Sequence, residues 1–292
     1  LWLIPVCLII PPCRFLADER VFPFIGILNY GRGVRAAGGE VDVLDLSGFA
    51  NIEDMVAEYL HERPDVRCFG LTATTPQLPA AVRVARTLRE QVVGAKIILG
   101  GPHATMVHTA QRLDEAVSRF RRGSQAWNQL IALFDVIVVG DGERAILRAL
   151  DDDSGRVVNA GDPKSDLWLA RGTLDEQPTP ARDLIDLDSY YYFIDGRRAF
   201  SAIAMLGCPF GCKFCSGREA ASYRIARVRE PTAVAAEIEQ VVREGWTRGV
   251  RYGGVMFYDD ELNSVKGNLE ALCAELIAVQ ERLGIEMRFR GF

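Results

Sequence analysis

Five short runs of almost uninterrupted apolar residues set the first constraint on this chain. They lie at residues 4–10, 41–46, 68–72, 96–99 and 136–139. Amphipathic stretches near 24–37, 52–62, 78–93 and 125–133 separate them, with one more after Gly142. A strand buried on both faces reads as a continuous apolar run, whereas a strand with one wet face alternates. Such strands alternating with helical segments predict an α/β architecture, a doubly wound parallel sheet. Ligands of these sheets sit beyond the carboxyl ends of the strands.

The segments that follow those ends are Pro11-Pro12-Cys13-Arg14, residues 72–77, Gly100-Gly101-Pro102-His103 and Gly140-Asp141-Gly142-Glu143. Glycine lets backbone approach a bulky ligand, and helix N-termini favour a phosphate. The candidate binding residues are therefore Thr74, Gln77, Gly100, Gly101, His103, Gly140, Gly142 and Glu143. Any one of these loops alone is ordinary turn chemistry; four in register mark a common rim.

The length of 292 residues predicts two domains. The first spans 1–150. A stretch at 151–198, rich in Asp, Pro, Gly and Arg, reads as a linker with a short hairpin around 155–160. The second domain, 199–292, shows strands at 199–206, 250–258 and 285–289, with helices at 231–245 and 265–283. The apolar start at residues 1–12 lacks a basic leader and a cleavage site, and it is too short to span a bilayer. A buried strand explains it better, and the absent initiator Met suggests a fragment. The net charge of −5 offers no basic footprint, which disfavours nucleic acid.

Seven cysteines, an odd number, argue against a secreted disulfide framework. Cys7, Cys13, Cys68 and Cys273 are scattered. Cys7 and Cys68 in apolar runs, and Cys273 on a helix, read as small buried hydrophobes. The other three form a C-x3-C-x2-C array, Cys208, Cys212 and Cys215, directly after an apolar strand. Three thiolates on one loop suit three irons of a [4Fe–4S] cluster and leave the fourth iron open. A structural zinc site wants four ligands. No second C-x-x-C or His pair exists to complete one, because His61, His103 and His108 all lie in the first domain.

That spacing, with Phe214 before the third cysteine, resembles the signature of radical S-adenosylmethionine (SAM) enzymes. The resemblance implies that the open iron chelates SAM and that Phe214 packs near its adenine. The strand end Met256-Phe257-Tyr258-Asp259-Asp260-Glu261 is similar to the aromatic-x-Asp-Asp segment of the cobalamin (B12)-binding subgroup. By that likeness Asp259, Asp260 and Glu261 help hold SAM, although N-capping by Asp260 or Asn263 is an equal alternative. Arg288 and Arg290 on the third strand are further candidates for its carboxylate. The rim loops of the first domain likewise resemble that subgroup's cobalamin module. The loop Cys13-Arg14-Phe15-Leu16-Ala17-Asp18-Glu19-Arg20 departs from the Asp-x-His-x-x-Gly of mutase-type domains. With no histidine in it, none from this loop can ligate cobalt.

The fold implied is a flavodoxin-like, B12-binding parallel sheet followed by a partial radical SAM (β/α) barrel. Such a barrel normally has six βα units and three strands are placed here, which suggests a truncated chain. The function implied is a cobalamin-dependent methyltransferase acting on an unactivated carbon or a phosphinate phosphorus. A deoxyadenosyl radical would activate the substrate and methylcobalamin would supply the methyl group. Non-methylating cyclisation and a non-catalytic cofactor-binding role are the alternatives. The expected cofactors are a [4Fe–4S] cluster, SAM and cobalamin. The expected partners are a small-molecule substrate and an external electron donor such as flavodoxin or ferredoxin, with no nucleic acid and no membrane, in the cytoplasm.

Overall fold

The computed structural model describes residues 5–118, 120–170, 174–176 and 179–291. The first four residues of the apolar start, Pro178 of the linker and Phe292 lie outside the described residues. The chain forms two compact units. One comprises residues 5–19, 26–168 and 180–185; the other comprises 20–25, the described part of 169–179, and 186–291.

The first unit runs β1 (Val6–Ile10), α1 (Ile25–Ala36), β2 (Val41–Asp45), α2 (Ile52–Glu62), β3 (Cys68–Thr72) and α3 (Leu78–Gln91). It continues with β4 (Lys96–Gly100), α4 (Pro102–Ala116), α5 (Arg122–Leu133), β5 (Val136–Val139), α6 (Gly142–Leu150) and β6 (Val157–Asn159). All six strands are parallel, in the order β2-β1-β3-β4-β5-β6. The first five reproduce flavodoxin-like order, with its switch point at β1 and β3.

Period-two alternation divides this sheet into two faces. Cys7, Ile9, Phe69, Leu71, Ile97, Leu99, Ile137 and Val139 pack against α2, α3, α4 and α5 in one core. The opposite row holds Leu8, Gly70, Ile98 and Val138, with Ile27 and Tyr30 of α1 and Ile146 of α6 along the same cleft.

Two expectations are corrected here. Residues 157–159 form no hairpin; they add a parallel sixth strand to the sheet, paired with β5. A 15-residue helix, α4, follows Gly101 where no helix was expected. It buries Thr105 and Asp114 along with Ala104 and Val107, so its inner face carries no clean apolar stripe.

The second unit contains β7 (Phe193–Ile194), β8 (Arg197–Ala202), β9 (Met205–Leu206), β10 (Arg227–Val228) and α7 (Pro231–Thr247). β11 (Tyr252–Phe257), α8 (Lys266–Leu283) and β12 (Arg288–Arg290) follow. β8, β11 and β12 are parallel, as in a half-barrel, with the antiparallel β7 on the edge. α7 and α8 cover one face through Val234, Ile238, Val242, Leu272, Leu276 and Val279. The strand expected over 199–206 is broken: β8 stops at Ala202, and β9 pairs instead with β10 in a separate ribbon. Cys273 is exposed rather than buried, because it lies beside the inward Leu272–Leu276–Val279 stripe of α8.

Phe69 is fully buried in the centre of the first sheet. Phe69→Ala should lower the stability of that unit by about 3–5 kcal/mol, read as a shift in its denaturant-unfolding midpoint.

Candidate functional site

The rim of the first sheet gathers the four expected loops at the carboxyl ends of β1, β3, β4 and β5. Behind them lies a largely apolar cleft of about 400 Å³, part of it open to solvent. Gly70 makes that space. It sits between Leu8 and Ile98 in register across the central strands and has no side chain to fill the row. A Cβ built on it would lie 2.9 Å from Leu8 Cδ2. Thr72 lines the same cleft with its hydroxyl buried and unpartnered. An apolar slot with one unsatisfied hydroxyl fits a flat, mainly apolar ligand group that carries a polar edge.

The rim residues take several different jobs. Gln77 is buried; its Nε2 donates to Pro11 O at 2.8 Å. Its Oε1 accepts from Thr74 N at 3.0 Å and Thr74 Oγ1 at 2.8 Å. This pair therefore ties the loop after β3 to the loop after β1. His103 opens α4, half-buried, with Nδ1 3.0 Å from Thr75 Oγ1 and its amide donating to Ala73 O. Burial holds its imidazole below the usual histidine range. Gly101 packs on the end of β3, where a Cβ would come 2.6 Å from Thr72 Oγ1. Gly142 packs on the Tyr30 ring, 2.5 Å from such an atom. Gly140, at φ 86°, passes the backbone of residues 160–161 so closely that a Cβ would lie 2.3 Å from Gly161 N. Gly100 borders the cleft, and Glu143 is buried in the first turn of α6.

In the second unit the three cysteines follow β9 on an open loop. Cys208 is partly buried, Cys212 and Cys215 are exposed, and none forms a disulfide. Phe214 is 92% exposed. Among the described residues no three His, Cys, Asp or Glu side chains converge on one ion position. The donor set nevertheless suits an iron–sulfur cluster: three accessible thiols on one loop whose backbone is held by other groups.

Those groups include two arginines that the sequence reading passed over. Arg224 donates to the carbonyls of Pro209, at 2.7 Å, and Phe210. Arg218 donates to Lys213 O at 2.6 Å. Cys208 N donates to Tyr223 O, and Cys215 N to Cys212 O.

Of the acidic residues after β11, Asp259 is buried and Asp260 exposed, and both accept from backbone amides. Asp259 Oδ1 accepts from Ala204 N at 2.8 Å and from Met205 N, while its buried Oδ2 has no partner. Asp260 Oδ2 accepts from Gly207 N at 2.7 Å. Glu261 is partly exposed. Arg288 pairs with Glu286 and Asp195, and Arg290 bonds Tyr192 and approaches Asp195.

Comparisons with known proteins agree with both halves of this picture. The family described as B12 binding domain matches residues 19–131. An anaerobic magnesium-protoporphyrin IX monomethyl ester cyclase of Rubrivivax gelatinosus is 29% identical over 265 residues, 85% of this chain and 43% of its own length. An uncharacterized methyltransferase of Pyrococcus horikoshii is 27% identical over 78% of this chain and 50% of its own length. This chain thus spans half or less of those relatives. The cobalamin-dependent SAM radical enzyme OxsB, solved with aqua-cobalamin and SAM bound, matches with a TM-score of 0.70. The match covers 98% of this chain and 38% of OxsB at 14% identity, a likeness of fold.

Burial pushes the Asp259 carboxyl up to about 7, against the pull of its two amide donors. A carboxyl raised on folding contributes stability that is full below its unfolded value, about 3.9. That contribution is lost as pH rises toward the folded value. Thermal melts of the metal-free protein should therefore show wild type losing ground to the non-titrating Asp259→Asn as pH goes from about 4 to about 7. The gap should then level off.

Proposed function

We propose that this chain, which belongs to the cobalamin-binding radical SAM enzymes, is the cofactor-bearing part of a methyltransferase acting on an unactivated carbon or phosphorus centre. The observation that carries this reading is the joining, in one chain, of a B12-binding domain with a three-cysteine loop that follows the first parallel strand of a half-barrel by way of the short β9. Cys208, Cys212 and Cys215 would hold a [4Fe–4S] cluster, with the exposed Phe214 and the partly exposed Glu261 available to meet SAM. The apolar cleft at Gly70 and Thr72 would take part of cobalamin, with the rim from Thr74 to Gln77 and the helix starts at His103 and Glu143 shaping its border. When bound, these groups would supply a deoxyadenosyl radical and a methyl carrier.

The residues themselves bind, orient and exclude water. The glycines keep the cleft open, and Gln77 keeps two rim loops together. Arg218 and Arg224 donate to loop carbonyls next to the cysteines and so hold that backbone in place. A small-molecule substrate, an external electron donor such as flavodoxin or ferredoxin, and a cytoplasmic setting accompany this reading. No described helix is long and apolar enough to cross a membrane. Non-methylating cyclisation is the second reading, favoured by the 29% identity to a cyclase across 85% of the chain.

Anaerobic reconstitution should load about four irons per chain, and Cys212→Ala should abolish loading. Under reduction with cobalamin and methyl-labelled SAM, deoxyadenosine together with S-adenosylhomocysteine supports methyl transfer. Deoxyadenosine alone selects cyclisation, and neither product from a loaded protein refutes both. Gly70→Leu, which fills the cleft, should weaken cobalamin binding about tenfold or more, equivalent to about 1.4 kcal/mol, in equilibrium dialysis. The bound cob(II)alamin should show no nitrogen splitting that His103→Ala removes.

A further inference from the structure

Two consecutive carboxylates at the end of β11 take up three backbone amides of the segment that leads from β8 into the cysteine loop. Asp259 Oδ1 receives Ala204 N and Met205 N, and Asp260 Oδ2 receives Gly207 N. Sheet pairing ends just before this point, where Tyr258 N donates to Ala202 O at 2.9 Å. Beyond it the chain leaves the parallel sheet for the β9–β10 ribbon. Without the carboxylates, these amides would lose their partners where the ladder stops.

Gly207 is held from the other side as well. Its φ is 82°, and a Cβ there would lie 2.2 Å from Ile225 O. The next residue is the first cysteine, whose amide donates to Tyr223 O at 2.9 Å. The backbone around Gly207 and Cys208 is thus held between the Asp260 carboxylate and residues 223–225, which precede β10. A carboxylate–amide bond is among the stronger hydrogen bonds a side chain can offer a backbone.

We propose that Asp260, supported by Asp259, is a positioning residue for the cluster: it sets the direction of Cys208 by holding Gly207 N. This rests on the reading that the three cysteines carry a [4Fe–4S] cluster. Arg224 and Arg218 hold the middle of the loop by its carbonyls, so Asp260 governs only the start. Asn at 260 keeps an acceptor for Gly207 N, and Ala removes it.

The test uses the whole chain, reconstituted anaerobically with ferrous iron and sulfide. Iron per chain, the EPR spectrum of the reduced cluster and hydrogen exchange of the metal-free protein over residues 203–212 are the readouts. Asp260→Ala should load iron about tenfold more weakly or worse, as loss of an outer support does in metal sites. It should also broaden the EPR signal and speed exchange at 207–208 while amides of α7 and β11 keep their protection. Asp260→Asn should restore loading and line shape.

An Asp260→Ala protein with a wild-type cluster and spectrum, defective only in its spectral response to SAM, would make Asp260 a direct ligand and overturn the proposal. If Asp260→Ala also loosens α7, Asp260→Asn decides: a wild-type spectrum supports the tether and an altered one refutes it. A full cluster in Cys212→Ala would bring down the cluster reading itself, and this inference with it. That result would not depend on residue 260.

Discussion

A parallel strand can join its parallel neighbour only through a crossover, so every strand in such a sheet ends on the same side. Everything functional in this chain depends on that constraint. In the first unit it collects four loops, from β1, β3, β4 and β5, on one rim above a cleft. In the second it brings the end of β11 beside the end of β8, although some 53–55 residues separate the hydrogen-bonded partners. The carboxylates of one strand end can therefore fix the loop that leaves the other.

Much of the fold was legible because burial on both faces leaves an unbroken apolar signature. The runs at 68–72 and 136–139 coincide with β3 and β5. What escaped lacked that signature. β6 is three residues long, with Val157 partly exposed, inside an acidic and glycine-rich stretch. α4 turns polar residues inward because they have partners there: Asp114 accepts from Ser124 N and Oγ, and Thr105 Oγ1 accepts from Gly140 N. A buried polar group satisfied by a distant segment leaves no trace in local periodicity. The break between β8 and β9 was hidden for a related reason, since residues 203–204 are apolar enough to continue a strand.

The candidate site divides in the same way. Cysteine spacing is local, so it was visible. The acidic pair after β11 was visible as chemistry but not in its orientation, because its three amide partners come from a segment more than 50 residues earlier. Arg218 and Arg224 carried no signal, as arginines near a loop are common and only carbonyl geometry distinguishes these two. Gly70 had a readable cue: glycine inside a buried strand often marks a close approach by another group. Here it opens the row between Leu8 and Ile98.

Burial also sorts the cysteines, which composition alone could not do. A thiol must ionise to bind metal, and an apolar interior opposes the thiolate. Burial pushes Cys7 up to about 12 and Cys68 up to about 11, which keeps both as neutral thiols at neutral pH. Cys212 and Cys215 stand in solvent on a loop whose shape is maintained by Asp260, Tyr223, Arg218 and Arg224. Because these hydrogen bonds to the loop backbone maintain its shape, the thiols need not contribute to holding it.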